Sequence, residues 1–322
     1  MNVRTQAHPI ITEGRLIMMF DTLNIEVSKH VCGEPLGVSR YIDVEKSGRY
    51  ERNGGAYIVG RLDNYRVYAE ENRVTLSGSV AKLVQGENVS SPSREQVQEG
   101  VLRLSDALHI NVGAGRVIRV DVASTLNVEN EPAGYLGQLE SLRNATRAEV
   151  GTWSVYFAEK ERGRTLCFYD KRAEVTARNG TIPREWACFP NLLRYEMRCR
   201  GDIRGCVGTC RVDELTQLQP WRKLVCLWAE EYGSIVKPTE ERIRTASTPR
   251  AAILAIFADL LRYAPEGYIN EVCQLVKAGG KMSRFERYRL RKELRKIVDG
   301  CGELLVDELT QKIEQVRSLQ CA

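Results

Sequence analysis

The chain has 322 residues, 43% of them hydrophobic and 28% charged, with a formal net charge of +5. That length carries one large domain plus a small one, and so mild a basic excess excludes a histone-like polycation, so any nucleic-acid surface has to be a local patch. No apolar run approaches a membrane span, residues 1–18 lack the basic start and apolar stretch of a secretory signal, and ten scattered cysteines without an export signal fit a reduced, cytoplasmic setting.

Residues 1–18 read as an N-terminal extension, with Met18 or Met19 as an alternative start. Leu23, Ile25 and Val27 alternate with polar residues and predict the first strand. His30 to Gly55 is loop-like, with Gly33, Pro35, Gly37 and the Gly54-Gly55 pair. Short strands are predicted at 56–60 and 65–69, and 74–80 pairs back as a hairpin. Val80 to Val89 is polar with one glycine and predicts a loop, either an ordinary solvated turn or one that offers Lys82 to a backbone phosphate. Ser93 to Leu108 is an amphipathic helix, opened by a capping box of Ser93 and Gln96.

Gly113 to Asn127 returns to strand, with Ile118, Val120 and Val122 toward the core and Arg119 and Asp121 on the other side. A carboxylate among valines is expensive unless it is paired. Asp121 therefore either meets Arg119 or a neighbour, or holds a metal ion. Gln138 to Val150 is predicted to be helical, and 152–158 and 164–170 form a hairpin.

Residues 164–174 read as a strand. Thr165, Cys167, Tyr169 and Lys171 share one face, and Leu166 and Phe168 the other. A phenol beside an ammonium can attack a phosphodiester, the phenol as nucleophile and the cation offsetting charge that builds on phosphorus. Tyrosine is also an ordinary strand residue, and the chain has 13 of them. Glu174 to Arg178 begins a helix that breaks at Asn179-Gly180. Asn191 to Arg200 is a further strand, with Leu193, Tyr195 and Met197 on one side and Arg194, Glu196 and Arg198 on the other. This is a cross-strand salt-bridge ladder, or a metal-binding carboxylate beside phosphate-binding arginines.

The remainder is helical: 223–232, then a linker over 234–247, a helix capped by Thr248 and opened by Pro249 that runs through Leu261, another over 267–278 ended by Gly279-Gly280, a basic helix from a Ser283–Glu286 capping box to Val298, and a last one over 303–319. Arg284, Tyr288, Arg291 and Arg295 share one face of the basic helix, which suits a phosphate backbone or a groove, although a solvated face has the same pattern. Cys199, Cys206 and Cys210 lie close together without a CxxC pair or a nearby histidine, so small buried hydrophobes are the simpler reading than a zinc site. No internal repeat is visible in the sequence.

If the three polar-sided strands adjoin, Asp121, Tyr169 with Lys171, and Glu196 converge. Two carboxylates suit Mg²⁺ or Mn²⁺, and such an ion would polarise a scissile phosphate that Tyr169 attacks in line. Lys171 or Arg172 would lower the phenol's pKa or bind phosphoryl oxygens.

The chain resembles the gene II/X-type replication initiator endonucleases of filamentous phages and related plasmids. The resemblance covers most of residues 19–210 and rests on five stretches in order: Met-Phe-Asp-Thr-Leu at 19–23, Ala-Lys-Leu-Val-Gln-Gly-Glu-Asn-Val at 81–89, Ile-Arg-Val-Asp at 118–121, Thr-Leu-Cys-Phe-Tyr-Asp-Lys-Arg-Ala-Glu at 165–174 and Leu-Leu-Arg-Tyr-Glu-Met-Arg at 192–198. It implies rolling-circle replication of a single-stranded DNA phage or small plasmid, with Tyr169 nicking the plus strand at the double-stranded origin and becoming joined to the 5′-phosphate. Asp121 and Glu196 would be the metal-binding positions. Lys82, Arg119, Arg172, Arg194, Arg198, Arg284, Arg291 and Arg295 are the candidate DNA contacts. The partners implied are double-stranded origin DNA, single-stranded DNA and a host helicase and polymerase, in the cytoplasm of a bacterial host, with oligomerisation on DNA possible and no membrane.

One departure concerns metal. Many rolling-circle initiators bind it through two histidines one residue apart, and this chain has only His8, His30 and His109, the last read as structural. Three alternatives remain: a non-catalytic origin-binding initiator, a metal-independent tyrosine recombinase, and a purely structural α/β protein. The expected fold is α+β, an antiparallel sheet flanked by helices with the site on its open polar face. The expected divisions are an extension at 1–18, a nicking/joining domain at 19–235, and a helical DNA-binding or interaction region at 236–322.

Overall fold

Twelve strands and eleven helices fall within the described residues of the computed structural model, which are 19–321 apart from 52–53, 89–91, 160, 202, 238–247, 250–252, 254–267 and 300–304. The extension 1–18, most of the linker at 234–247 and the helix expected through Leu261 lie outside them. In chain order, β1 (Met19–Ser28) and α1 (Lys29–Cys32) precede a 3-10 segment at Pro35–Tyr41. A meander follows: β2 (Asp43–Arg49), β3 (Ala56–Leu62), β4 (Tyr65–Glu70) and β5 (Arg73–Ser79). Then come α2 (Val80–Gln85), α3 (Arg94–Leu108), β6 (Arg116–Asn127) and α4 (Pro132–Gly137). The second meander has β7 (Ser141–Leu142), β8 (Thr146–Glu149), β9 (Ser154–Glu159), β10 (Arg164–Asp170), α5 (Lys171–Asn179) and β11 (Leu192–Arg200). The chain continues through α6 (Ile203–Val207), α7 (Val212–Leu215), α8 (Leu218–Gly233) and β12 (Ile235–Val236). It ends in α9 (Tyr268–Ala278), α10 (Arg284–Asp299) and α11 (Leu305–Cys321).

Ten strands make one antiparallel sheet in the order β2-β3-β4-β5-β1-β6-β11-β10-β9-β8, and β7 pairs with β12 apart from it. The fold is therefore α+β, with helices flanking an antiparallel sheet. The order repeats one plan about the β1–β6 pair: a first strand, then a meander whose last strand returns beside it. This two-part plan is invisible as sequence repetition because only strand order and pairing are shared.

One face of the sheet is apolar and carries the core. Leu166 and Phe168 of β10, Leu193, Tyr195 and Met197 of β11, and Val120 and Val122 of β6 are buried there. Phe168 and Tyr195 stack with ring centroids 4.4 Å apart, and Tyr195 stacks on Trp228 of α8 at 4.6 Å. Burying a side chain such as Phe168 stabilises the fold by roughly 1.5–3 kcal/mol. Helix α3 lays Val97, Val101, Leu104 and Leu108 on the same core. Helix α11 adds Leu309, Ile313 and Val316 to it, while its Glu308 accepts hydrogen bonds from the Tyr135 hydroxyl and the Glu129 amide. The last helix thus packs into the core of the sheet domain, across the boundary expected at residue 235.

Several local expectations are corrected. Residues 30–55 are not all loop, because β2 pairs with β3 through its backbone while its side chains stay mostly exposed, so no apolar alternation reveals it. Residues 80–85 are helical, not loop: the Ser79 hydroxyl accepts from the Lys82 amide, and Gly86 at φ 82° ends the turn where an L side chain would be strained. Residues 138–150 do not form a helix, since β8 finds a backbone partner in β9 and Leu142 is used in the β7–β12 pair. The strand at 164 stops at Asp170, whose carboxylate accepts from the Arg172 and Ala173 amides and so starts α5. In β6 an extra residue lets Val117 rather than Ile118 face Ile25 of β1. Among the described residues no helix is long and apolar enough to cross a membrane.

Candidate active site

The polar-sided strands do adjoin: β10, β11 and β6 are consecutive in the sheet. Register fixes who meets whom. Tyr169 stands opposite Arg194, which stands opposite Thr125; Glu196 lies between Cys167 and Ala123; Arg198 lies between Thr165 and Asp121. Because directly opposed residues share a face, Tyr169, Glu196 and Asp121 all project from the side away from the aromatic core. The Tyr169 hydroxyl donates to Glu196 Oε2 at 3.3 Å. Arg198 Nε donates to Glu196 Oε1 at 3.1 Å, and Arg119 Nε to Asp121 Oδ1 at 2.7 Å with a second bond from its Nη2 to the other oxygen.

A second network packs beside the phenol. The guanidinium of Arg194 is fully buried and donates to Asp21 Oδ2 at 2.8 Å, Thr125 Oγ1 at 2.9 Å and the Asn88 carbonyl at 2.8 Å. Asp21 also accepts from the Ser79 hydroxyl at 2.8 Å. It reaches this place because β1 carries an extra residue against β6: Phe20 opposes Val122 and Leu23 opposes Val120, so both stay in the core while the chain between them bulges. Lys171 donates to Glu174 Oε2 at 2.9 Å and to Asn88 Oδ1 at 3.2 Å, with its ammonium 5.9 Å from the centre of the Tyr169 ring. It arrives there as the first residue of α5, not as the next residue of the strand.

This end of the polar face is closed, contrary to the open face expected. Tyr169 is only 8% exposed, Glu196 4%, Lys171 1% and Asp121 0%. Ala81 of α2 packs on Ala123, and Val175 of α5 with Trp186 packs on Leu192. Burial sets the electrostatics. It drives the Tyr169 phenol well above its ordinary range, the Arg194 cation opposing and the Glu196 carboxylate adding to the rise. It pushes the Asp121 carboxyl up to about 6, Arg119 opposing and nearby Glu196 reinforcing. It lowers the Lys171 ammonium, which Arg194 lowers further against the pull of Glu174. For Asp21, burial acts upward, but Arg194 with Ser79 and Lys171 outweighs it and holds the carboxyl below the usual range.

The other sequence candidates fall elsewhere. Arg172 donates through Nη1 to the Trp186 and Phe189 carbonyls, at 2.8 and 2.9 Å, which ties down the segment after α5. Arg194, expected as a phosphate contact, is sealed beneath the surface. Lys82 is half-buried on α2, and Asn88, six residues further on and past the end of that helix, is the residue that enters the site. Arg284 and Arg291 are exposed on α10, together with Tyr288, and the Ser283–Glu286 capping box forms; the Arg295 side chain lies outside the described residues. Cys206 accepts from Arg164 at 3.0 Å and Cys199 is buried. His109 is the left-handed cap of α3, its ring tilted against that of Tyr41 with centroids 4.5 Å apart. Sequence reasoning missed Asp21 and Asn88 as site residues although both lie in stretches already singled out; their signal was a short polar side chain where the chain departs from regular alternation.

Among the described residues no group of three His, Cys, Asp or Glu side chains converges on one point. Asp121 and Glu196 are diagonal neighbours on adjacent strands, a pair whose Cβ atoms lie about 7 Å apart. Mg²⁺ is commonly held by one or two carboxylates plus waters and substrate phosphates. The donor type and number fit such an ion, provided Arg119 and Arg198 release the oxygens they now hold.

Comparison with known proteins gives a family match and a similarity among solved structures. The family model for the N-terminal part of the phage gene II replication-associated protein matches residues 19–211. A search of curated proteins finds no match. Among solved structures, the chain is similar to a rolling circle replication initiator protein from Geobacillus stearothermophilus, 15% identical, covering 74% of this chain and 91% of that one with a TM-score of 0.42.

Proposed function

Because the chain belongs to the replication-associated protein family of the phage gene II type, we propose that it nicks and rejoins one strand of origin DNA to start rolling-circle replication, with Tyr169 as the nucleophile. The observation that carries this reading is the Tyr169 hydroxyl bonded to Glu196 Oε2 at 3.3 Å, directly across the strand pair from the buried Arg194 cation. A phenol raised above its ordinary range is neutral at physiological pH and needs a base. Glu196 takes the phenolic proton as the oxygen attacks phosphorus. The phosphorus–oxygen bond to the 3′-oxygen breaks, that oxygen leaves and acquires a proton, and a 5′-phosphotyrosine remains. The buried Arg194 cation beside the phenol offsets charge on the attacking oxygen, and Lys171 offsets charge on the phosphoryl group. The reverse attack by a 3′-hydroxyl rejoins the strand, since the linkage conserves the bond. Asp121 and Glu196 would hold Mg²⁺ or Mn²⁺, which when bound supplies Lewis-acid polarisation of the phosphate.

The burial of Tyr169 favours a second reading, a non-catalytic initiator that binds the origin and recruits host enzymes. One incubation separates them: protein with supercoiled DNA carrying the replicon's own origin and Mg²⁺, resolved on a denaturing gel for nicked circles and 5′-linked protein. The nickase reading expects both products, and expects Tyr169→Phe or EDTA to abolish them while origin binding persists. Tyr169→Phe that nicks like the wild type would overturn it.

A further inference from the structure

The polar face does not end at the closed site. From Asp121 and Arg119 it runs without interruption through Asn24 of β1 and Ser77 of β5 to Arg66 of β4, each directly opposed to the next. Tyr68, Tyr57 and Lys46 continue it on β4, β3 and β2. Helix α3 and the 3-10 segment put their buried side chains on the opposite, apolar face, while on the outer strands Lys46, Arg61 and Arg66 are exposed and the tyrosines half-buried. Strands stand about 4.8 Å apart, so β4, β3 and β2 lie roughly 24–34 Å across the sheet from Tyr169.

Three features of this surface point to one kind of ligand. Tyr57 and Tyr68 stack with centroids 6.4 Å apart, and Tyr50 lies 5.0 Å from Tyr57, an aromatic row along this edge of the sheet. Gly48 sits directly across from Tyr57, and a Cβ there would come within 2.9 Å of the Tyr57 hydroxyl, so the missing side chain is what lets the ring lie down over β2. Lys46 stands 5.8 Å from the centre of that ring. Arg61 is engaged by Glu45, and Arg73 by Glu26 and Glu70, but among the described residues Arg66 and Lys46 make no ion pair. Clustered rings beside cations that carry no ion pair match an unstacked strand, whose bases stack while its phosphates meet charge; a duplex keeps its bases stacked inside and offers rings nothing to cover.

We propose that the β2–β3–β4 face is a platform for single-stranded DNA, holding the strand that runs from the nicking site; its use in replication rests on the nickase reading, but its binding does not. The test uses the full chain and a fluorescein-labelled oligo(dT), whose binding by anisotropy needs neither an origin nor cleavage. Tyr57→Ala with Tyr68→Ala should weaken binding roughly tenfold or more. Lys46→Ala with Arg66→Ala, both exposed and so without a folding role, should flatten the dependence of log affinity on log salt by about one to one and a half. Unchanged affinity and unchanged salt slope in the charge variant would overturn the platform, as would variants that lose duplex affinity while keeping that for oligo(dT). Nicking assayed in parallel keeps the two ideas apart: Tyr169→Phe should bind oligo(dT) as the wild type does, whatever it does to supercoiled DNA.

Discussion

The two halves of the sheet share a strand plan and differ in what happens to their polar face. On β6, β10 and β11 the carboxylates and Arg194 are buried and the charges interlocked, Arg194 with Asp21, and the half-buried Arg198 and Arg119 with Glu196 and Asp121. On β2, β3 and β4 comparable residues, Lys46, Arg61 and Arg66 among them, remain in water. The difference comes from covering: α5 and the segment that follows β5 close over one half and leave the other bare. Burial turns ordinary carboxylates and a phenol into groups with displaced pKa values and fixed partners, which is what chemistry needs. Exposure leaves cations and tyrosines able to meet a ligand at little cost to stability.

The largest expected effect tests whether the covered half is a reaction centre. Glu196→Gln keeps the side-chain shape but not the base, and nicking measured as loss of supercoiled DNA should fall by roughly 10²–10⁴-fold; a variant with wild-type rates would reduce Glu196 to a salt-bridge partner. Next is stability. Asp21→Asn leaves the Arg194 charge buried without its counterion, which should lower the unfolding free energy by about 3–5 kcal/mol in urea. A loss below about 1 kcal/mol would mean that water reaches this pair and that the contrast between halves is overstated.

The same pair gives a pH signature. The folded Asp21 carboxyl sits below its unfolded value, so the stabilisation is complete above about pH 4, where the unfolded carboxyl is ionised, and is lost as pH falls through the lower folded value. The stability gap between wild type and Asp21→Asn should therefore be constant from about pH 6 to 5 and narrow below about pH 4. The smallest effect belongs to the bare half: Arg66→Ala should move the unfolding free energy by no more than about 0.5 kcal/mol, and a large drop would show that this face is covered after all.

Sequence patterns were most informative where a strand alternates against a core. The β10 and β11 alternation placed Phe168, Tyr195 and Met197 inside and Tyr169 and Glu196 opposite, and both capping boxes form where the spacing put them. They were least informative where backbone pairing alone makes the element, as in β2 and β8, or where a bulge changes phase, as at Ile118. The site was legible in part: Tyr169, Glu196 and Asp121 are brought onto one face, whereas Arg172 and Arg194 are spent on internal contacts, and Asp21 and Asn88 were passed over.

By itself the sequence determined which side of each central strand is polar, because side chains alternate with a period of two and that period is written residue by residue. Only the tertiary structure decided which of those polar sides would be sealed and which left in water. That choice depends on segments far apart in the chain, 173 residues in the case of Asp21 and Arg194, and no local pattern encodes whether a distant helix will come to rest above a given strand.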